Sequence, residues 1–214
     1  MRERGIWIVQ RGRFCTTHFA KPMSKENSPK SDSPTAEWVG DVLSFWFTEL
    51  QPNDWFSGSA AVDDACRSRF GQLYQTLQTR PLLPSSLDAR TLLAAVIVFD
   101  QFPRNLFRKS AEAYATDVRA QELARHAVAS GKDRALKDQE RYFLYMPFMH
   151  SEDRALQAES VRLFTELGGD GVKWARHHQS IVERFGRFPH RNATLGRTST
   201  AEEVEFLKTE RPFD

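Results

Sequence analysis

Long apolar runs and cysteines are both scarce in this sequence. No apolar run approaches the roughly 18 residues of a membrane-spanning helix, so we expect no integral membrane protein and no membrane partner. The two cysteines, Cys15 and Cys66, are too few for a disulfide scaffold or for a zinc site built from cysteine alone. Such sparse use of cysteine fits a reducing compartment, and we predict a cytoplasmic protein.

The net charge is also small, because the 214 residues include 30 Lys and Arg and 28 Asp and Glu, which gives +2. Residues 1–34 carry seven of the basic and three of the acidic groups, a net charge of +4. Residues 35–214 therefore carry 23 basic and 25 acidic groups, a net charge of −2. General nucleic-acid binding needs a basic face, so we expect no nucleic-acid partner for this part of the chain.

The first 34 residues differ from the rest in composition. Residues 23–34 are polar and rich in proline and serine, which predicts a disordered basic extension over residues 1–34 and one domain over residues 35–214. The apolar stretch at residues 6–9 is too short for a secretory signal. Three interpretations stay open: a dispensable extension with Met23 as the true start, a transit peptide, and an arm that contacts anionic partners.

From residue 35 onward, apolar residues recur at steps of three and four, and no stretch predicts a strand. This pattern predicts an all-α fold of about seven to eight antiparallel helices joined by short connections. Residues 92–99 are apolar on every side and predict a buried central helix. Thr200 and Glu203 predict a capping box at the start of the last helix. A later helix carries its inward stripe at Trp174, His178, Ile181 and Phe185.

Two segments of similar sequence each follow a predicted helix: residues 102–105 read Phe-Pro-Arg-Asn, and residues 188–192 read Phe-Pro-His-Arg-Asn. Proline fixes its own φ and favours an extended residue before it, so each segment predicts a rigid turn that ends a helix. In one interpretation the arginines bind the last carbonyl groups of the helices. In the other, both turns face one cleft and bind a carboxylate or phosphate. The candidate ligand-binding residues are Arg104, Asn105, Arg187, Arg191, Asn192 and His177.

Histidines are concentrated in the second half of the domain, at His150, His177, His178 and His190. An imidazole beside a carboxylate is the usual pair for general acid–base catalysis. The candidate catalytic residues are His150 or His190 as the imidazole, with Glu152 or Asp100 as the carboxylate.

Asp100 also has a purely structural interpretation. It follows a long apolar stretch, and a buried carboxylate needs a partner. A buried ion pair with Arg104 or with Arg191 would satisfy it.

Metal-binding motifs are absent from the sequence. His177 and His178 lie about 100° apart around one helix, so they cannot both bind one metal from one face. A metal site would require His150, Glu152, His177 and His190 to converge in space, and no HExxH, HxH or CxxC spacing supports that. We therefore expect no metal and no cofactor.

Three segments carry a resemblance to a known family: residues 100–108, 146–153 and 185–192, together with Phe45-Trp-Phe47 and Trp55-Phe56. Over about residues 38–207 the chain resembles the bacterial domain of unknown function 924 family. The resemblance implies an all-α, tetratricopeptide-like arrangement of helices, although the sequence has no clear 34-residue repeat. It implies no particular activity.

These observations favour a helical module whose cleft, lined by Arg, His and Asn, binds an anionic small molecule or a peptide carboxylate. Two alternatives stay open. One is an enzyme that uses the His and carboxylate pairs in the same cleft. The other is a scaffold that binds a partner helix in a groove between helices.

Overall fold

The computed structural model describes residues 34–209, and every regular element within them is helical, which confirms the predicted all-α fold. The predicted extension lies almost wholly outside these residues, and its disorder stays a prediction. None of the described helices is both long enough and apolar enough to cross a membrane. The α-helices are α1 (Pro34–Ser44), α2 (Ala60–Thr79), α3 (Ala89–Val96), α4 (Phe102–Leu106), α5 (Asp117–Ala129), α6 (Asp138–Met149), α7 (Arg154–Leu167), α8 (Gly171–Phe185) and α9 (Ala201–Thr209).

Shorter helical turns connect these helices. Two are π-helical turns, at Phe45–Glu49 after α1 and at Ile97–Gln101 between α3 and α4. Four are 3₁₀ turns, at Pro84–Ser86, Ala111–Tyr114, Lys132–Ala135 and Pro189–Arg191.

Helix α3 is the centre of the core, as its sequence predicts. Residues 92–99 are all fully buried. The helix packs against α1, α5 and α6, so apolar side chains are needed on each of its sides. Helices α6, α7 and α8 form a second layer in which neighbours pack together. Their connections span only residues 150–153 and 168–170, so consecutive helices run antiparallel.

The first Phe-Pro turn differs from the prediction. Phe102 has helical angles, with φ −58° and ψ −38°, so the expectation of an extended residue that ends the helix is wrong here. The chain instead widens into a π-helical turn in which the Phe102 N–H donates to the Ile97 carbonyl. Pro103 has no N–H to offer the Phe99 carbonyl, and the Thr116 hydroxyl donates to that carbonyl over 2.7 Å. A distant hydroxyl therefore lets the helix continue through the proline.

The second Phe-Pro turn follows the prediction more closely. Phe188 is extended, with φ −91° and ψ 108°, and it precedes the 3₁₀ turn Pro189–Arg191. Just beyond it, Thr200 and Glu203 form the predicted capping box. The Thr200 N–H donates to Glu203 Oε2 over 2.7 Å, and the Glu203 N–H donates to Thr200 Oγ1 over 3.2 Å.

Aromatic side chains join the first helices to α6. Trp46 is buried and meets the rings of Phe102 and Phe143 edge to face, at centroid distances of 5.8 and 5.5 Å. The Trp55 indole N–H donates to the Trp46 carbonyl over 2.9 Å. This bond fixes Trp55 at the edge of the cleft described below.

Candidate functional site

Asp100 lies in the π-helical turn and is fully buried. His150, the residue that follows α6, places Nδ1 2.8 and 2.9 Å from the two carboxylate oxygens of Asp100. Gln101 donates from Nε2 to Asp100 Oδ2 over 2.6 Å. The carboxylate therefore accepts from an imidazole and an amide, and the imidazole is held by its Nδ1 edge.

Two arginines and a second aspartate surround this pair. Arg104 donates to the Asp100 carbonyl, and its guanidinium lies 3.6 Å from Asp100 Oδ1. It also donates to both oxygens of Asp117, over 3.1 and 3.3 Å. Arg191 donates from Nη1 to the His150 carbonyl over 3.0 Å and to Asp117 Oδ2 over 3.5 Å. We call Asp100, Arg104, Asp117, His150 and Arg191 the buried charge cluster.

The two aspartates of the cluster have opposite pKa shifts. Burial alone would raise the pKa of Asp100, but its electrostatic interactions with His150 and Arg104 and the hydrogen bonds it accepts outweigh burial, so its pKa lies below its ordinary value. Burial raises the pKa of Asp117, and the nearby Asp100 carboxylate adds to that rise against the opposing charges of Arg104 and Arg191. Asp100 is therefore the carboxylate that the cluster keeps ionised.

The cluster borders a cleft of about 780 Å³. Its polar side includes Gln101, Arg104, Asn105, Arg108, His150, His177 and His178. Its apolar side consists of Trp55, Phe56, Tyr142, Met146, Met149 and Trp174. No Asp or Glu is among the described residues that line it. We call this space the aromatic cleft.

Arg108 and Asn105 are oriented by a carboxylate behind them. Asp63, on α2, accepts from Arg108 Nε and Nη2 over 2.9 and 2.7 Å, and from Asn105 Nδ2 over 2.8 Å. Burial opposes ionisation of Asp63, but these hydrogen bonds and the Arg108 charge hold the pKa of the carboxyl below its ordinary value. The ion pair fixes the plane of the Arg108 guanidinium at the rim of the cleft.

Four predicted site residues converge on this cleft: Arg104, Asn105, His150 and His177. Asp100 lies directly behind His150. Of the two carboxylates predicted as partners for the histidines, Asp100 contacts His150, whereas Glu152 does not line the cleft. Within the described residues, no group of three or more His, Cys, Asp or Glu side chains is placed to hold a metal ion.

Other predicted residues form a separate polar group around α9, outside the lining of the cleft. Arg187 donates to both oxygens of Glu203 over 2.6 and 2.8 Å. Asn192 donates to Ser199 Oγ over 3.0 Å and to Glu203 Oε2 over 3.2 Å. These bonds join the second Phe-Pro turn to the start of α9.

Glu152 and His190 also take part in the packing of that turn. Glu152 accepts from Arg197 over 2.7 and 2.9 Å and from the Phe188 N–H over 2.7 Å. The His190 ring lies against the Phe188 ring at a centroid distance of 5.6 Å. Neither residue lines the aromatic cleft.

Sequence reasoning missed several residues of the site. Arg108 lies just beyond the end of α4, and its partner Asp63 is 45 residues away in the sequence, so no local pattern pointed to it. Trp174 was expected on the inward stripe of α8 but is 52% exposed and lines the cleft. Asp117 had no local signal, since its partners come from α4 and from the turn near residue 191.

The fold and the site define a small all-helical protein in which a buried charge cluster borders an aromatic cleft. Residues 42–211 match the family described as a bacterial protein of unknown function, DUF924, and the chain belongs to this family. A structure of a protein of unknown function from Agrobacterium tumefaciens is 40% identical and has a TM-score of 0.78, covering 82% of this chain and 99% of that chain. No curated protein sequence matches this chain. The family predicted from the sequence motifs is confirmed.

Proposed function

We propose that the aromatic cleft binds a small molecule or a peptide end that carries an anionic group beside an apolar body. The observation that carries this proposal is the lining itself, which includes two arginines and three histidines but no described carboxylate. Its volume of about 780 Å³ falls within the roughly 300–1,000 Å³ range of small-molecule sites. An anion with an apolar body matches both sides of such a cleft.

Arg108 is the best candidate to contact the anionic group. Arg104 already donates to both oxygens of Asp117 deep in the cluster. Arg108 uses Nε and Nη2 toward Asp63, and its side chain is one-third exposed. A guanidinium has five N–H donors, so a second carboxylate can be bound without breaking the pair with Asp63.

The apolar side supports a ligand with a ring or a short aliphatic body. Phe56 is 62% exposed and Trp174 is 52% exposed, and both line the cleft. Large aromatic side chains exposed around one concave space are typical of binding sites. Met146 and Met149 add flexible, polarisable surface that adapts to the shape of a ligand.

The convergence of Arg104, Asn105, His150 and His177 is the reason to prefer a ligand-binding module over a scaffold for a partner helix. A tetratricopeptide-like arrangement and a cytoplasmic location remain parts of this proposal. The ligand would be a metabolite-sized carboxylate or phosphate, or the carboxylate of a peptide.

Thermal unfolding in the presence of matched ligand pairs tests the proposal. Benzoate, 3-phenylpropionate, indole-3-acetate and N-acetylphenylalanine would each be compared with the corresponding uncharged amide. We expect at least one acid to raise Tm more than its amide, because only the acid can bind the guanidinium. A ligand present at 100 times its Kd stabilises by about 2.7 kcal/mol, a Tm rise of roughly 5–10 °C for a domain of this size.

Two variants locate the binding. Arg108→Gln should remove the advantage of the acid over the amide. Arg162→Gln should leave it unchanged, since Arg162 pairs with Glu159 and Glu166 on α7 and is not among the residues that line the cleft. The proposal fails if no acid stabilises more than its amide, or if Arg108→Gln retains the whole difference.

A further inference from the structure

We infer that His150 is a general base of the aromatic cleft, with Asp100 as the residue that orients it. This inference goes beyond ligand binding, because it gives the cleft a group that can accept a proton from a bound ligand or from water. It rests on the proposed function only for the ligand on which the base would act.

The hydrogen-bond geometry fixes the position of the imidazole proton. Asp100 is a carboxylate, and an ionised carboxylate can only accept hydrogen bonds. The His150 nitrogen at 2.8 and 2.9 Å from its oxygens must therefore carry a hydrogen, so a neutral His150 is protonated on Nδ1. The other ring nitrogen, Nε2, then holds the lone pair. This is the arrangement in which a carboxylate prepares a histidine to accept a proton.

The cluster around His150 contains two carboxyl groups, Asp100 and Asp117, and two guanidinium groups, Arg104 and Arg191. The titratable and charged groups that surround His150 are Asp100 in the π-helical turn, Arg104 on α4, Asp117 on α5, His177 and His178 on α8, and Arg191 in the 3₁₀ turn.

The local backbone holds the pair in place. The wide π-helical turn carries both Asp100 and Gln101, and such turns recur at functional sites. Gln101 bonds Asp100 over 2.6 Å and reaches Met146 Sδ over 3.5 Å, which restricts the carboxylate to one orientation. The His150 carbonyl is bound by Arg191, so the backbone of the base is fixed from the other side.

The proton step is balanced within the site. His150 Nε2 accepts a proton from an acidic group of the ligand or from a water molecule that attacks it. The resulting imidazolium, stabilised by Asp100, returns that proton to the leaving group or to solvent, and the neutral imidazole is restored. No oxidant or reductant takes part. The ligand class is an anion, held near Arg108, whose reacting group lies beside His150.

Nitrogen NMR of the imidazole groups tests the first part of the inference on the unmodified protein. At a pH where the histidines are neutral, we expect His150 to be the Nδ1–H tautomer, the reverse of the form that dominates in free histidine. In Asp100→Asn this preference should weaken. Finding the Nε2–H tautomer at His150 in the wild-type protein would overturn the inference, whether or not the variant folds.

Modification by diethyl pyrocarbonate tests the reactivity of the nitrogen. A neutral imidazole nitrogen attacks the carbonyl carbon of this reagent and expels ethyl carbonate, which decomposes to ethanol and carbon dioxide. We expect ethoxycarbonylation of His150, read by mass spectrometry, to be several-fold faster in the wild type than in Asp100→Asn. His126 on α5 is the internal reference, since it lies outside the cleft. An unreactive His150 beside a reactive His177 would overturn the inference.

The two proposals fail separately. If acids bind and Arg108→Gln weakens them, but His150 is the wrong tautomer or unreactive, the cleft binds ligands without this base. If His150 has the expected tautomer and reactivity but no acid stabilises the protein, the inference about His150 is supported and the proposed ligand class is wrong.

Discussion

Replacing Arg191 with methionine should destabilise the fold strongly, and the size of the loss tests our description of the buried charge cluster. Arg191 is only 4% exposed. Its guanidinium donates to the His150 carbonyl and to Asp117, and it lies 4.6 Å from the ring centroids of both Tyr114 and Phe188. Methionine keeps much of the length and apolar contact but has no donor and no charge.

The expected loss is about 3–5 kcal/mol, the range for removing one member of a buried ion pair. A hydrogen bond from a charged donor contributes about 1.5–3 kcal/mol. Each cation–π contact adds about 0.5–1 kcal/mol. The contact with Asp117 counts for less, because its 3.5 Å distance is long and Asp117 keeps Arg104 as a partner. Arg191→Lys retains the charge but loses the planar donor group, so it should cost less than Arg191→Met.

Urea unfolding followed by circular dichroism gives the free energy of unfolding for each variant. Arg162→Met is the matched control and should change it by no more than about 0.5 kcal/mol, as expected for an exposed surface pair. A loss below about 1 kcal/mol for Arg191→Met would refute the reasoning, because the buried His150 carbonyl would lose its charged donor, and a buried acceptor left without its partner costs at least that much.

Three other substitutions test the packing that positions the site. Gly171→Ala should lower the free energy of unfolding in urea by about 1–3 kcal/mol, since a Cβ there would lie 2.5 Å from the Phe164 ring. Gly40→Ala on α1 is the control, because a Cβ there meets open space and should be neutral or stabilising. Thr116→Val should cost about 1–3 kcal/mol, because it removes the hydroxyl that donates to a buried carbonyl; an unchanged stability would contradict the account of the π-helical turn. Hydrogen bonds from Arg187 lower the pKa of Glu203 to about 2, so the stabilisation by ionised Glu203 is present above about pH 4.5 and lost as the pH falls toward 2. The difference in unfolding free energy between wild type and Glu203→Gln should therefore shrink over that interval. A difference that stays constant would refute this account of Glu203.

The helices could be predicted from the sequence because their signals are local. The apolar stretch at residues 92–99 and the capping box of Thr200 and Glu203 each depend on residues a few positions apart. The first Phe-Pro segment was misjudged because its outcome depends on Thr116, which lies 17 residues from the carbonyl it binds. A local rule about proline cannot include a donor supplied by a distant residue that precedes a different helix.

The candidate site was harder to predict because its pairs join distant parts of the chain. Asp100 and His150 are 50 residues apart, and Asp117 and Arg191 are 74 apart. The residue types were recognisable, since a carboxylate after an apolar helix needs a partner. Which partner it finds depends on how α3, α6 and α8 pack, and helical periodicity does not specify that.

Histidine side-chain NMR during a titration tests the central claim, that the aromatic cleft binds anions, most directly. The ligand would be whichever aromatic carboxylate gives the largest rise in Tm. We predict that the imidazole signals of His150 and His177 shift together with one Kd while the signal of His126 stays in place. Unchanged signals from His150 and His177, or an equal shift of His126, would contradict the claim.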